Sequence, residues 1–398
     1  MTVTNTATHF GWVTKTFHWL TALLIISAIA LGVTANRWGF ETGEALTQKA
    51  WLFSFHKTVG ITAFFVAVLR IIWALTQPKP AGLASHGRAE SLLAKIVHWT
   101  LYCSMVLVPL AGWVTHASSE GFAPIRWPFG QNLPLVPKSD ALHHTAAMLH
   151  VFWERVLIIS ILLHIAGAVK HHVIDKDATL RRMLPGRSPD VDLKPATSSL
   201  LPPVLAGVIF AVVAIAAGAT SYIKAADRPA TLLKPSIAGD WSVVDGSLSI
   251  IVRQFGNDVN GTFENWTTDI TFDETIEEGT AGTVTGQIAI NSLTLGSVTD
   301  QAMGPDYFDA GGFPVALFDA VIEQSTKGTE LAGNLTLKGV DQPFAMPFDL
   351  QIEGDTATAS GGTTLHRLDF GIGTVQPDEG TLGFEVLVTV ELTATRSQ

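Results

Sequence analysis

The sequence of 398 residues has a single cysteine, Cys103, and few charged residues. One cysteine excludes a disulfide framework and any cysteine-built zinc or iron–sulfur site. Histidine and tryptophan are almost missing from the carboxyl half, since twelve of the thirteen histidines and nine of the eleven tryptophans come before residue 200. The chain therefore has at least two parts of different chemistry.

Charge divides the chain at the same place. Residues 1–198 carry 17 basic and 10 acidic side chains, whereas residues 199–398 carry 8 and 25. The acidic second half argues against nucleic acid as a partner. We predict three parts, with bounds at 1–187, 188–234 and 235–398.

Five apolar segments are long enough to cross a membrane, which takes about 20 residues in a helix. The first is expected to be retained rather than cleaved as a signal peptide, because its apolar run is long and no A-x-A-like site follows it. The segments run from Thr16 to Ala35, Phe55 to Leu75, Ile96 to Thr115, Met148 to Val169 and Leu200 to Tyr222.

Loop charge predicts the orientation of these spans. The loops after spans two and four, which include Arg88 and Arg187, are richer in Lys and Arg than those after spans one and three. Positive loops stay inside, so the amino terminus is predicted to be cytoplasmic. Five passes would then place everything after Ala225 on the opposite side of the membrane, which for a bacterial chain is the periplasm.

Four histidines lie at membrane depth: His18, His56, His150 and His164. An ionisable side chain in hydrocarbon costs roughly 2.5 kcal/mol or more, so such residues usually face a bundle interior or a cofactor. His150 and His164 are 14 residues apart, which is about 21 Å of helical rise and leaves both on one face of span four. Because neighbouring spans alternate in direction, depth pairs His18 with His164 and His56 with His150.

Each pair would hold a haem iron axially between facing helices. Any haem would be bound non-covalently, since the sequence lacks a C-x-x-C-H motif. A simpler interpretation is that each histidine only hydrogen-bonds a neighbouring helix. A proton relay is another alternative, although relays more naturally include Asp or Glu. A zinc site is excluded, because the two pairs are too far apart to share one ion.

Haem propionates need cationic partners, and two basic residues lie at suitable depths. Arg70 lies at the inner end of span two, and Lys57 follows His56 at its outer end. The alternative for both is snorkelling to the lipid headgroups. His98 in span three is expected to pack or to lie at a haem edge, without a ligand role. Solvated interface positions are expected for His143, His144, His171 and His172.

Several motifs in the first 187 residues form a familiar combination. They are the Phe-His18-Trp-Leu start of span one, His56-Lys57 with Gly60, Pro109-Leu-Ala-Gly112, Phe129-Gly with Leu133-Pro134, the run from His150 through His164 to His171-His172, and the tail from Asp175 to Pro185. The combination resembles the bacterial cytochrome b561 family. This resemblance implies a four-helix, di-haem-b quinone oxidoreductase of the inner membrane, with the four named histidines as haem ligands.

From about Pro235 the pattern changes to short alternating runs separated by Gly, Asp and Asn. Eight such strands predict an antiparallel barrel or sandwich, with one helical turn from Gly304 to Asp309. Span five is expected only to carry this domain outward. The runs are Trp241 to Val244, Ser249 to Phe255, Gly261 to Phe272, Thr283 to Ile290, Val315 to Ile322, Glu330 to Leu337, Phe344 to Ile352 and Leu382 to Thr395.

Binding is favoured over catalysis in this half, because its one histidine, His366, has no evident nucleophile or acidic partner. A barrel of about eight strands can enclose one small ligand in an apolar cavity. Aromatic residues would line that cavity, with ordinary core as the alternative. They are Trp241, Phe255, Phe263, Trp266, Phe272, Phe308, Phe313 and Phe318.

A second set of motifs covers residues of about 237–396. It consists of Trp241-Ser-Val-Val-Asp245, Gly261-x-Phe263 leading to Ile270-Thr-Phe-Asp273, Tyr307-Phe-Asp with Phe313 to Phe318, Gly333 to Gly339 before Pro343-Phe344, and His366 to Gly371. This set resembles the YceI-like polyisoprenoid-binding family. The resemblance implies a lipocalin-like barrel that holds an isoprenoid chain, such as a quinone tail.

The sequence thus predicts a multi-domain protein: a transmembrane four-helix di-haem bundle, a fifth transmembrane helix and an all-β barrel. Its predicted function is electron transfer with ubiquinone or ubiquinol, with superoxide or another outer donor as an option, and isoprenoid binding in the barrel. The expected partners are membrane lipid, the quinone pool and an isoprenoid, with no nucleic acid. The competing hypothesis is a membrane-tethered isoprenoid carrier in which the haems are sensory or structural.

Overall fold

The computed structural model describes residues 2–39, 42–83, 87–119, 123–186, 193–194, 199–226, 231–233, 239–326 and 328–397. Arg187, most of the predicted linker up to Ser199 and the predicted barrel start at Pro235 lie outside these residues. The chain divides into two units. One consists of Met1–Arg37, Trp51–Ser118 and Pro124–Asp227, and the other of Trp38–Ala50, Ser119–Ala123 and Arg228–Gln398.

Five long helices correspond to the five predicted spans, and each is long and apolar enough to cross a membrane. Most of them extend beyond the apolar core of the predicted span, because the polar residues at its ends continue the helix. The elements are α1 (Trp12–Arg37), α2 (Gly43–Leu75), β1 (Gly82–Leu83), α3 (Arg88–Ala117), α4 (Asp140–Val173), the short α5 (Thr179–Met183), β2 (Leu193–Lys194) and α6 (Leu201–Ala226). Strands β1 and β2 pair with each other.

Small and hydroxyl side chains pack between α3 and α4. Thr100 and Ser160 approach each other at 2.9 Å between their Oγ atoms, and Ser104 and Ala111 are buried. Such residues let membrane helices approach closely. Large apolar side chains, among them Leu162 and Ile215, are exposed, as expected of helices whose outer surface contacts lipid tails.

The second half folds as a closed antiparallel barrel. Eight strands form its ring in the order β3, β5, β6, β8, β9, β10, β11 and β12, and β12 closes on β3. The remaining β4 pairs with the other part of β3, and β7 pairs with β4. The strands are β3 (Trp241–Gln254), β4 (Asn257–Phe263), β5 (Trp266–Phe272), β6 (Gly279–Ala289), β7 (Leu293–Thr294), β8 (Val315–Ser325), β9 (Gly328–Leu337), β10 (Val340–Glu353), β11 (Thr356–His366) and β12 (Leu382–Arg396), with α7 at Thr299–Ala302.

The barrel core consists mainly of two apolar clusters. Alternate residues of each strand face the same side of the sheet, and β6 contributes Ile288 to the first cluster and Val284 to the second. The first cluster includes Leu248, Ile250, Val259 and Phe263. The second includes Trp241, Phe272, Ala281 and Ile322. The interior is therefore filled in successive layers along the strands.

Three details of the predicted strands and the position of the predicted helical turn were wrong. The first two runs are one strand, β3, because it pairs with β12 along most of its length. The run from Gly261 to Phe272 is split into β4 and β5 at residues 264–265. Strand β11 was missed, since its small polar residues give no apolar alternation. The helical turn lies at Thr299–Ala302, while the segment Gly304 to Asp309 forms hydrogen-bonded turns.

Candidate functional site

His56 of α2 and His150 of α4 face each other, with ring centroids 6.1 Å apart. The Nδ1 of His56 donates to the carbonyl of Ala28 at 2.8 Å, and the Nδ1 of His150 donates to the carbonyl of Val108 at 2.9 Å. Because a carbonyl oxygen only accepts, each Nδ1 carries the proton and each neutral ring keeps a lone pair on Nε2. This is the tautomer that metal ligation through Nε2 requires.

Two glycines make room for these rings. A Cβ atom at Gly32 in α1 would lie 2.8 Å from Cε1 and Nδ1 of His56, and one at Gly112 in α3 would lie 2.9 Å from Nδ1 of His150. Each glycine follows the accepting carbonyl by four residues, which is about one helical turn. Each imidazole therefore enters a gap that glycine leaves in the surface of a neighbouring helix.

His18 of α1 and His164 of α4 form the second pair, with ring centroids 6.0 Å apart. The ring of His98 in α3 lies 5.2 Å from that of His164. Arg70 interacts electrostatically with all three histidines, and its guanidinium lies 5.6 Å from the ring centroid of Tyr102. A permanent cation therefore acts on three imidazoles at this end of the bundle.

Both pairs fit an iron held between two imidazoles. A metal–imidazole bond is about 2 Å long, and the ring centroid lies about 1 Å further on, so two axial rings hold their centroids roughly 6 Å apart. The observed distances of 6.0 and 6.1 Å agree with this spacing. Two neutral nitrogen donors in an apolar bundle suit haem, whose porphyrin supplies the other four ligands. The residues present therefore fit two haem groups.

His116 of α3 was missed by the sequence analysis. It lies close enough to His56, His150, Lys57 and His143 to interact electrostatically with them. Lys57 is only 6% exposed, so it is buried rather than extended towards lipid headgroups. The one signal for His116 in the sequence was its position just after the apolar core of span three.

His143 and His144 were expected at solvated interface positions. They lie near the start of α4, which begins before the predicted span, and His143 is half-buried whereas His144 is exposed. The helix begins earlier because the side chain of Ser139 caps it, accepting from the backbone N–H of Leu142 at 3.4 Å. The Nδ1 of His143 donates to the carbonyl of Thr115 at 2.8 Å. This bond ties the start of α4 to the end of α3.

His171 was expected to be solvated but is buried at the end of α4. Its Nδ1 lies 2.9 Å from a carboxylate oxygen of both Asp175 and Asp177. Lys170 bridges Glu90 and Asp175 at 2.6 Å each, and its hydrogen bond holds the pKa of Asp175 below the ordinary value. Glu90, His171 and Asp175 place ligand atoms within 4.8 Å of one another. Because an ammonium already bridges the carboxylates, this cluster is an ion-pair network that joins α3 to α4.

Two apolar cavities, of about 140 and 80 Å³, lie among the described residues of the barrel. Two of the predicted aromatic residues, Phe263 and Phe308, line the larger cavity, and Trp241 and Phe272 line the smaller one. The other four are not among the described lining residues. Phe255 lies in the turn after β3 with φ 50°, Phe313 is 38% exposed, and Trp266 and Phe318 pack against the two core clusters.

Polar groups are concentrated at one part of the larger cavity. Gln301 Nε2 donates to the hydroxyl of Tyr307 at 3.0 Å, and burial raises the pKa of Tyr307. The buried guanidinium of Arg367 donates to five backbone carbonyls, at 2.5 to 3.0 Å. All five of its N–H donors are thus used, so Arg367 holds the fold together, whereas Gln301 and Tyr307 offer polar atoms to the cavity.

Comparison with known proteins agrees with both halves. The family model for prokaryotic cytochrome b561 matches residues 9–186, and that for the YceI-like domain matches residues 241–394. Cytochrome b561 homolog 2 of Escherichia coli K12 is 30% identical over 191 residues, covering 48% of this chain and 98% of the relative. The probable superoxide oxidase CybB of Yersinia pestis is 28% identical, covering 42% and 91%.

The chain is a membrane protein that belongs to the prokaryotic cytochrome b561 family, with a YceI-like barrel fused to its helical part. Membership implies haem b as the cofactor. Among solved structures, Burkholderia cenocepacia BcnA is 27% identical, with a TM-score of 0.36 and coverage of 38% of this chain and 96% of that one. The Campylobacter jejuni YCEI protein is 16% identical, with a TM-score of 0.32 and coverage of 43% and 94%.

Proposed function

We propose that the chain binds two haem b groups, one between His18 and His164 and one between His56 and His150. The observation that carries this proposal is the matched geometry of the pairs, with ring centroids 6.0 and 6.1 Å apart at opposite ends of α4. Residues 1–187 would form the di-haem domain, 188–234 the linker and fifth helix, and 235–398 the barrel.

The chain's own residues prepare these sites. The carbonyls of Ala28 and Val108 orient His56 and His150 and raise the basicity of their Nε2 atoms. Arg70 near one pair and Lys57 near the other would each neutralise a propionate. Because Lys57 is buried, an anionic partner would offset the cost of its charge.

Bound haem would supply one-electron chemistry at two depths of the membrane, which suits exchange of electrons with ubiquinone or ubiquinol. Superoxide is an alternative outer donor, and one relative is named as a probable superoxide oxidase. The distribution of Lys and Arg supports a cytoplasmic amino terminus in an inner membrane and a periplasmic barrel.

The barrel would bind an isoprenoid lipid such as a quinone, and its two apolar cavities support this assignment. A tether raises the local concentration of the lipid near the haem sites without requiring a shared interface. The competing function is a tethered lipid carrier with sensory or structural haems, which the same cavities would serve.

A redox-difference spectrum with haem counted per chain tests the ligand assignment. We expect His150→Ala and His164→Ala each to remove about one haem of two, because each iron loses one axial ligand. Purified protein that is colourless, or that contains a single iron, would refute the proposal.

Haem reduction by quinol, measured with and without residues 230–398, separates the two functions. Slower turnover after deletion supports delivery of quinone by the barrel. Unchanged turnover, together with an isoprenoid retained by the full chain, would favour the carrier.

A further inference from the structure

Two aromatic rings lie at the boundary between the two cavities of the barrel. Trp266 of β5 packs against the first core cluster and Phe318 of β8 packs against the second. Neither ring is among the described residues that line the cavities.

The strand register places Phe318 between the cavities. Phe318 is the cross-strand partner of Gly286 on β6. Val284, two residues before Gly286, lines the smaller cavity, and Ile288, two residues after it, lines the larger cavity. Because residues two apart on a strand face the same side, Gly286 and Phe318 occupy the layer between the cavities.

Glycines accommodate both rings. A Cβ atom at Gly286 would lie 2.1 Å from Cε1 of Phe318, and one at Gly246 would lie 3.0 Å from Cζ2 of Trp266. Gly246 also lies at the boundary, since its cross-strand partner Leu392 lines the smaller cavity and Leu248, two residues further along β3, lines the larger one. Each ring therefore occupies space that a side chain in place of the glycine would fill.

The cavity volumes limit the size of a ligand that fits in one cavity alone. A cavity of about 150 Å³ takes a ligand of the size of benzene, and the two cavities have volumes of about 140 and 80 Å³. A chain of several isoprene units exceeds either one. To lie wholly inside the barrel, such a chain has to pass through the layer that holds Trp266 and Phe318.

We propose that Trp266 and Phe318 form a movable partition that determines how long an isoprenoid chain the barrel accepts. This inference rests on the proposed lipid binding and adds the residues that set chain length. A long chain has to displace two packed rings, whereas a ligand confined to one cavity leaves them in place.

Binding of an eight-unit prenol to the detergent-solubilised full-length protein tests the partition. We expect Phe318→Leu and Trp266→Leu each to raise its affinity about tenfold, because a smaller side chain costs less to displace. Phe313→Leu is the matched control, since Phe313 is 38% exposed and is not among the described residues that line either cavity. Its effect should stay below about threefold.

A second measurement needs no variant with a weakened core. In wild-type protein labelled with 5-fluorotryptophan, the ¹⁹F signal of Trp266, assigned with Trp266→Phe, should shift with the eight-unit prenol but not with a single-unit prenol. Equal shifts with both prenols, or equal effects of the partition and control variants, would overturn the partition and leave lipid binding intact. If neither prenol binds any of these proteins, the lipid function itself fails, and the partition with it.

Discussion

Replacing Gly32 or Gly112 with alanine perturbs a single histidine pair without removing a ligand. The new methyl group would lie 2.8 Å from His56 or 2.9 Å from His150. Ordinary contact begins near 3.4 Å, so the imidazole has to withdraw by about 0.5 Å. Its hydrogen bond to the helix carbonyl would then exceed the usual limit of about 3.2 Å.

The expected loss follows from that hydrogen bond. Residues that orient a metal-bound histidine typically contribute about 10- to 100-fold in metal affinity. We expect Gly32→Ala and Gly112→Ala each to weaken one haem site by about that factor, so that purified protein retains closer to one haem than two. The His18–His164 pair should be unaffected, because it lies at the other end of α4.

Haem per chain and the redox-difference spectrum measure this outcome. Gly207→Ala is the matched control, since Gly207 lies in α6, which carries none of the four histidines, and a Cβ atom there has no neighbour within 4 Å. If all three variants keep two haems with unchanged spectra, the glycine gaps have no part in holding the rings. Equal losses in all three would instead indicate a general effect of alanine on the bundle.

Three further predictions concern stability. Arg367→Met should destabilise the barrel by about 3 kcal/mol or more, because five carbonyls lose their donor; thermal unfolding followed by circular dichroism measures this, and a change below about 1 kcal/mol would contradict it. The fold raises the pKa of Tyr307. The neutral phenol therefore contributes stability below about pH 10, and this contribution is lost as the pH rises through the higher folded-state pKa. The fall in stability with alkaline pH should be less steep in Tyr307→Phe, and identical profiles for the two proteins would refute this. Ser139→Ala should cost about 0.5 kcal/mol at the start of α4, to be measured by hydrogen exchange near Leu142, where unchanged protection would show that the cap is unimportant.

Much of the helical part could be predicted because membrane constraints are local. A run of about 20 apolar residues has to be a helix, since lipid offers no partner for backbone polar groups. Chain direction then assigns a depth to every residue. For this reason His18 could be paired with His164, and His56 with His150, before any contact was known.

The surroundings of those histidines could not be predicted in the same way. Gly32 and Gly112 are ordinary glycines in apolar helices until the structure places an imidazole against each of them. Lys57 is buried and His116 lies close to it, and both positions depend on helix rotation, which is set by packing rather than by depth. The burial of His171 likewise requires the return of Asp175 and Asp177 onto the end of α4.

In the barrel, alternation identified most strands but not their pairing. Strand β11 consists mainly of Thr, Ala, Ser and Gly. It forms because its backbone pairs with β10 on one side and β12 on the other. The separation of the cavities depends on the register that sets Phe318 opposite Gly286. Shifting that register by one residue would turn Phe318 to the other face of the sheet.

The sequence by itself determined the five membrane helices, the depths of the four histidines and the β character of the second half, because hydropathy and alternation are properties of neighbouring residues. Only the tertiary structure decided which helix surface admits each imidazole, which cations are buried and where the barrel interior is divided. Those features depend on close packing between residues far apart in the chain, which no local pattern encodes.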